Sequence, residues 1–401
     1  MTTKTAIVIG GGIAGCCTAY ALAQRGINVT LTEQHDNIGL EASGNPCAML
    51  YPRVSGNDAL STFALAAFLY SLDFYQSLQL PATAFNACGM LQTGYNAREF
   101  ARISKVAAIL RENSALNIAA KLVNPIEASQ IAGVSINHSA LYFPQAGWVK
   151  PSVLLARLTQ HPQISVLTSC RITALSNTGT LWQATDIQQN THAADIVVIA
   201  SANDAKHFPQ CQHISTQPVR GQITLLAASE NSRALNTILC SDGYFSPPID
   251  GVHSLGATFE AGQSDLSIRQ ADHQKNLNAL NTLSSTLLDG LESRILAGRA
   301  SLRCVSADYF PILGQLIDAN TVSQRPPRPN ADRSSLPWLD GLYINTGHGS
   351  KGFTSAPWCA ELLAQTICGE TPDVNDALLG AMNPNRFLLK KLGLKRLAKM
   401  A

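Results

Sequence analysis

The chain has 401 residues, of which 46% are hydrophobic and 14% charged; this excludes a disordered or fibrous chain and suffices for two intertwined domains with buried cores. A net charge of +2 excludes a surface that attracts nucleic acid everywhere, so any basic footprint must be local. The ten cysteines hold no Cys-x-x-Cys and the nine histidines no His-x-x-x-His, so the pattern offers neither a disulfide framework nor a zinc ligand set, and no metal site is expected. No run reaches the roughly 18 apolar residues of a membrane span, and Gly10, Gly11 and Gly12 interrupt the apolar start, so a cytoplasmic protein is expected.

Ala6 to Ile9 is wholly apolar, as a strand buried on both faces of a parallel sheet should be. Ala14 to Arg25 reads as a helix rich in small residues, and Ile27 to Leu31 as a second strand. Gly10, Gly12 and Gly15 therefore fall on a strand-to-helix turn in the order Gly-x-Gly-x-x-Gly. In such a turn the first glycine permits the sharp bend, the second lets the backbone approach a pyrophosphate, and the third lets helix and strand pack closely. The helix N-terminus favours the anion. Glu33 ends the second strand about 20 residues later, where a carboxylate can hold the hydroxyls of an adenosine ribose. A single fingerprint at the extreme N-terminus favours FAD over NAD.

"EASGNPCAMLYPRVS" reads as a loop of small residues that can press close to a planar ligand, with Ser43, Gly44 and Asn45 as short donors and acceptors. A helix follows over Ala59 to Leu78, and another is opened by Pro151. "ISVLTSCRITALS" and "ADIVVIAS" read as strands. Beyond them "PVRGQITLLAA", "TILCSDGYFSPP" and "HSLGATFE" show shorter, alternating runs that suit an antiparallel sheet. "DANTVSQRPPRPNADRSSLPWLD", residues 318–340, reads as an exposed loop. "NTGHGSKGFTSAP" is neither a Walker loop nor a Gly-x-Ser-x-Gly elbow, and reads as a glycine-rich turn opening a helix, able to cover the far end of a flavin. The expected fold is α/β: a discontinuous Rossmann-like FAD domain over residues 1–80, 141–214 and 305–401, and a smaller antiparallel substrate domain over 81–140 and 215–304.

With "IGGGIAG", "ASGNPCAMLYP", "YFPQAGWVKP", "VRGQI", "LCSDGYFSP", "LRCVSADYFPILG", "GSKGFTSAPWCAELLA" and "NPNRFL", the chain resembles the D-amino-acid-oxidase-like FAD oxidoreductases over almost its whole length. Within them it is most similar to the FAD half of the bacterial bifunctional enzymes of tRNA 5-methylaminomethyl-2-thiouridine biosynthesis. The resemblance implies FAD as cofactor and, as substrate, a tRNA wobble uridine carrying a carboxymethylaminomethyl group, which is oxidised to release glyoxylate. The bifunctional enzymes carry a methyltransferase half before this one, so the following methylation is expected of a separate enzyme.

The expected FAD contacts are Gly10, Gly12, Ile13, Ala14 and Gly15, then Glu33 and Gln34, then Ala42, Ser43, Gly44, Asn45 and Met49, with Ile172, Ala200 and Ser201. Gly349, Ser350, Lys351, Gly352 and Phe353 close the site from the C-terminal turn. Arg303 matches the arginine that clamps a substrate carboxylate in the glycine-oxidase-like group, a task suited to a guanidinium fork. Tyr244 matches an active-site tyrosine, and Lys351 would place positive charge near the flavin. His348 reads as a turn residue. Independently of any family, "RFLLKKLGLKRLAK" holds Arg386, Lys390, Lys391, Lys395, Arg396 and Lys399 with no acid, and Leu388, Leu389 and Leu392 can form one helical face. Its cations are candidate RNA contacts, with Arg325, Arg328 and Arg333 as a second set. Two other readings stay open: an oxidase of a free amino acid such as glycine or sarcosine, and a flavin-binding scaffold without catalysis.

Overall fold

The computed structural model describes residues 3–112 and 120–399, which form two compact units. The first comprises 1–44, 152–218 and 303–401, the second 45–151 and 219–302. Residues 45–80 and 141–151, given to the cofactor domain on sequence, fall in the second unit.

The first unit is built on a six-stranded sheet. Its order is Ile312–Ile317, Trp338–Thr346, Ile196–Ile199, Thr5–Ile9 (β1), Asn28–Thr32 (β2), Ile164–Leu167. The pairs are parallel except for the first, which is antiparallel. β1 lies in the middle, Val8 opposite Leu31 on one side and Val198 on the other. A central strand has neighbours on both edges and cover on both faces, so none of Ala6 to Ile9 is more than 5% exposed. Successive residues of a strand face opposite ways. Ile7, Ile9, Val197, Ile199, Leu342 and Ile344 accordingly join one cluster, with Trp182 and Ala184 from a three-stranded antiparallel sheet of Ile172–Asn177, Trp182–Asp186 and Thr191–Ala194. "ISVLTSCRITALS" is thus two strands in two sheets, parted at Ser169, whose φ is +53°.

The helix Ile13–Ala23 (α1) packs beside the helix Gly352–Cys368. A Cβ on Gly352 would lie 3.1 Å from Ile13 Cγ2. At the other end Arg25 reaches Glu361 at 2.6 Å and Glu370 at 2.8 Å. The two helices therefore run parallel, with both N-termini at one end of the sheet.

The stretch 318–340 is largely exposed, as its composition leads one to expect, but it is not all loop. Asp318 caps a helix, Ala319–Gln324, by accepting from Asn320 and Thr321 N–H, and a strand begins at Trp338. Val322 and Leu336 are buried against Leu389, Leu394 and Leu397 of the C-terminal tail. Val322, Leu336 and Trp338, too few to show periodicity, bury apolar surface that only the distant tail supplies.

The second unit holds a nine-stranded sheet. From Glu260–Ala261 it runs through Thr216–Ala227, Val252–Gly256, Tyr244–Phe245, Ile238–Cys240, Met90–Thr93 and Ala140–Phe143 to Lys121–Val123, and Ile295–Ser306 pairs with Thr216–Ala227. It is mainly antiparallel, as expected, but Ile238–Cys240 and Met90–Thr93 are parallel. Alternating residues feed two cores. Met90, Ile238 and Cys240 meet Phe68, Leu72, Ile103 and Val106 from the helices Ala59–Ser77 and Ala97–Glu112. Leu91 and Leu239 face Leu277, Leu280 and Leu283 of the helix Gln270–Leu283.

"VRGQI" has a structural explanation in this unit. Arg220 is fully buried, bonds Asp272 at 2.6 Å, and donates to Gln222 and to the Asp265 and Ser267 carbonyls. A buried guanidinium is tolerated only when its charge and donors are all answered in this way.

Candidate active site

Gly10 follows β1 with φ +112°, and its N–H donates to Thr32 O at 2.8 Å. A side chain there would meet Ala200 O at 2.7 Å, and one on Gly15 would collide with Gly10 O. The turn is closed tightly by backbone alone, which is why these two positions are glycine. Gly12 is the N-cap of α1 and offers no side chain. The cap comes from elsewhere: Ser43 Oγ accepts from Ile13 N–H at 3.0 Å. Ala14 and Gly15 N–H, still in the first turn, have no carbonyl one turn back to bond. This is an anion cradle set by local backbone.

Glu33 stands one residue past β2, 6% exposed. Its Oε2 accepts from Gly11 N–H at 2.8 Å and its Oε1 from His35 N–H at 2.9 Å. The carboxylate is fixed beside the glycine turn, and each oxygen keeps a further lone pair for a ribose hydroxyl. Its charge, after burial, helps push the Cys16 thiol far up. Gln34 lies half-buried against His35. Ala200, after the strand Ile196–Ile199, donates to Ile9 O and lines the turn, and Ser201 carries a buried hydroxyl with no protein partner. An orphaned hydroxyl at this point suits a polar ligand. Ile172 is a buried core residue at the start of its strand, and Ala42 and Gly44 are half-buried beside Ser43.

The C-terminal turn belongs to the same unit. Gly349 N–H donates to Cys304 O at 2.8 Å, and Val305 pairs with His348. The strand bearing half-buried Arg303 is thereby stitched to Gly349, Ser350 and Lys351. Lys351 caps the helix Gly352–Cys368, Ser350 is exposed and Phe353 is buried.

His348, read on sequence as a turn residue, is part of a chain of hydrogen bonds. Its Nε2 meets Asn345 Oδ1 at 2.9 Å and its Nδ1 meets Ser355 Oγ at 2.9 Å. Asn345 Nδ2 donates to Thr18 Oγ1, which donates to Ala14 O. The Ala14 carbonyl can only accept, so Asn345 is oriented with its oxygen toward His348, whose Nε2 must carry the proton. Burial holds the ring neutral, its pKa pushed down to about 4. The network joins the cofactor helix to the C-terminal turn. Asn345 and Ser355 lie 3 and 7 residues from His348, but Thr18 lies 327 from Asn345, so no single stretch of sequence signals the network.

In the second unit, Tyr244 is half-buried with its hydroxyl 3.3 Å from Ser254 Oγ. Half-buried Tyr51 meets Cys240 Sγ at 3.7 Å and has its phenol pushed well up by desolvation. Asn45 accepts from Arg299 Nη1 at 3.0 Å, and Met49 pairs with Trp148 in a small sheet.

The basic tail divides. Arg386 is fully buried, forks onto Asp308 at 2.7 and 2.9 Å, and donates to the Met382, Asn383 and Phe310 carbonyls. Its charge is spent inside, and it drops out as an RNA contact. Lys390, Lys391, Lys395 and Arg396 are exposed, as are Arg325 and Arg328. Arg396 donates to Asn330 O at 3.1 Å, which ties the tail to the 318–340 segment. Arg333 lies over the Trp338 ring at 4.9 Å. Among the described residues no helix is long and apolar enough to cross a membrane.

The profile of the family described as FAD dependent oxidoreductase (DAO) matches residues 5–366. The chain is 45% identical over 401 residues to the tRNA 5-methylaminomethyl-2-thiouridine biosynthesis bifunctional protein MnmC of Methylobacillus flagellatus, covering 100% of this chain and 61% of that protein. It is 39% identical to the protein of the same name from Pseudomonas putida strain GB-1, covering 97% and 60%. The chain thus spans less than two thirds of the length of these relatives. In fold it is similar to glycine oxidase from Geobacillus kaustophilus, with a TM-score of 0.78 at 19% identity over 95% of this chain and 99% of that one. Iminodiacetate oxidase from Chelativorans sp. BNC1 gives a TM-score of 0.77 at 18% identity, over 94% and 98%. The glycine turn, the Glu33 carboxylate and a match running from β1 to the C-terminal helix agree: the chain belongs to the DAO family of FAD-dependent oxidoreductases.

Proposed function

We propose that this chain removes the carboxymethyl group from 5-carboxymethylaminomethyl uridine, or its 2-thio form, at the tRNA wobble position, working in the cytoplasm. The observation that carries the reading is the 45% identity, along all 401 residues, to a protein of tRNA 5-methylaminomethyl-2-thiouridine biosynthesis. The exposed cations of the tail support it, because a free amino acid would leave them no phosphates to meet.

Bound FAD supplies a two-electron hydride acceptor. The residues arrange the rest. Ala14 and Gly15 N–H and the α1 dipole hold the pyrophosphate, and Glu33 holds the ribose. Gln34, Ser201 and the Gly349–Phe353 turn complete the cofactor contacts, as do Asn45 and Met49. Arg303 clamps the substrate carboxylate, fixing the carbon between nitrogen and carboxylate. Tyr244 borders the substrate and Lys351 adds positive charge near the flavin. The substrate nitrogen must arrive neutral: its lone pair forms the C=N bond as the C–H bond gives up hydride. Water adds to the imine carbon and the C–N bond breaks, giving glyoxylate and the primary aminomethyl uridine. The methylation that follows is left to a separate methyltransferase activity.

Anaerobic bleaching of the yellow holoprotein tests this. Reduction by tRNA bearing the carboxymethylaminomethyl group, but not by glycine or sarcosine, is expected. Reduction by the free amino acids alone would replace the reading with a small-molecule oxidase, and reduction by neither would leave a scaffold.

A further inference from the structure

The three-stranded sheet of the first unit carries a cluster for which the oxidation has no use. Cys170 Sγ, Asp186 Oδ2 and His192 Nε2 lie within 4.8 Å of one another. Sulfur is 3.7 Å from the ring nitrogen and 4.0 Å from the carboxylate oxygen, which are themselves 3.4 Å apart. The thiol and carboxylate are 8% and 3% exposed, and the imidazole is partly open to solvent. Cys170 follows the left-handed Ser169, Asp186 ends one strand, and His192 lies on the strand that returns.

These separations are those of a metal's coordination sphere. With Zn–S of about 2.3 Å and Zn–N and Zn–O of about 2.0 Å, a tetrahedral site has S–N, S–O and N–O edges of about 3.5, 3.5 and 3.3 Å. Observed and ideal edges differ by about 0.5 Å at most, on the S–O edge. Thiolate, imidazole and carboxylate together suit zinc and not calcium or magnesium. The carboxylate is already aimed: Asn190 N–H donates to Asp186 Oδ1 at 2.8 Å and Asn190 Nδ2 to Oδ2 at 2.9 Å, the outer support that metal carboxylates carry. A His–Asp ion pair alone gives the buried thiol no role. A dication bound here would answer the sulfur, the carboxylate and the imidazole at once.

We propose that Cys170, Asp186 and His192 form a zinc site, with water as the fourth ligand. Its position gives it a consequence for the cofactor. Cys170 N–H donates to Glu33 O at 2.8 Å, and Ser169 N–H to His35 O at 2.7 Å. Zinc bound here pins the segment that backs the Glu33 carboxylate, and so steadies the adenosine end of the FAD cradle.

The test is calorimetric titration of the FAD-loaded full chain with zinc sulfate after chelator treatment. One zinc per chain is expected, binding tighter than about 1 μM with release of a proton. Cys170→Ser and His192→Ala should each weaken it by about 100-fold or more, Asn190→Ala by about 10-fold, and Cys368→Ser, at the exposed thiol, not at all. Zinc-edge X-ray absorption of the unaltered protein removes dependence on variant folding: one sulfur at about 2.3 Å with nitrogen and oxygen at about 2.0 Å is expected. Absence of sub-micromolar zinc, an isotherm unchanged in both ligand variants, or a shell without sulfur would each overturn the site.

Discussion

Replacing Glu33 by Gln isolates what its carboxylate does for the cofactor turn. One group answers two backbone donors, Gly11 N–H at 2.8 Å and His35 N–H at 2.9 Å. Glutamine has the same shape but one acceptor oxygen, so one of the two N–H groups must face an NH2. A buried donor without a partner costs about 1–3 kcal/mol, and the surviving bond loses the charge that made it strong. Part of that cost falls on the apoprotein and part on the complex, where the ribose hydroxyls lose an ionised acceptor. A penalty of about 1–3 kcal/mol on the complex corresponds to about 5- to 150-fold in affinity. Quenching of flavin fluorescence, titrated on apoprotein, measures it, and a thermal melt of the apoprotein reports the remainder. An FAD affinity within about twofold of the unaltered protein, with an unchanged melt, would refute the assignment of Glu33 to both roles.

Arg303→Ala should lower anaerobic flavin reduction by the modified tRNA by about 100-fold or more while leaving FAD retention unchanged; equal loss of both moves Arg303 to the flavin. His253 is fully buried, its Nδ1–H donating to Ser246 O and its Nε2 accepting from Ser232, with its pKa pushed down to about 4 by burial. Because the unfolded chain takes up a proton near 6.5 and the folded chain only near 4, stability falls as pH drops through that window. His253 should contribute about 1.4 kcal/mol per pH unit to that slope, beside a like share from His348, whose pKa is also pushed down to about 4 by burial. Urea midpoints across that range should show it, and His253→Asn should remove its share; superimposable profiles would refute the burial argument. Arg220→Ala leaves the buried Asp272 carboxylate with only Lys275, at 3.4 Å, and should cost about 3–5 kcal/mol in urea unfolding, more than Arg220→Ala combined with Asp272→Ala. Charge reversal at Lys390, Lys391, Lys395 and Arg396 should weaken tRNA binding and flatten its salt dependence, as measured by filter binding, whereas Arg386→Gln should instead unfold the tail.

The strand, glycine turn, helix and carboxylate were legible because they lie within one short stretch of chain. Positive φ at Gly10, the close approach of Gly15 to Gly10 O and the carboxylate just past β2 fall between residues 10 and 33, whereas the Ser43 cap and the Ala200 wall come from farther away. The same holds for β1, whose unbroken apolar run follows from burial on both faces of a parallel sheet. Arg386 shows where such reading stops. In sequence it is one of six cations, and only the fold places Asp308, 78 residues away, in range of its fork. The apolar residues of 318–340 are likewise invisible as core until the tail covers them. The His348 network and the cluster of Cys170, Asp186 and His192 contain no motif, since their partners meet only when sheets and helices pack. Sequence by itself thus determined the class of cofactor and the strand, glycine turn and helix proposed to cradle it, where backbone geometry and a helix dipole act over a few residues. Tertiary structure decided which charges remain on the surface and which polar side chains converge, because burial and hydrogen bonding there depend on atoms brought together from distant parts of the chain.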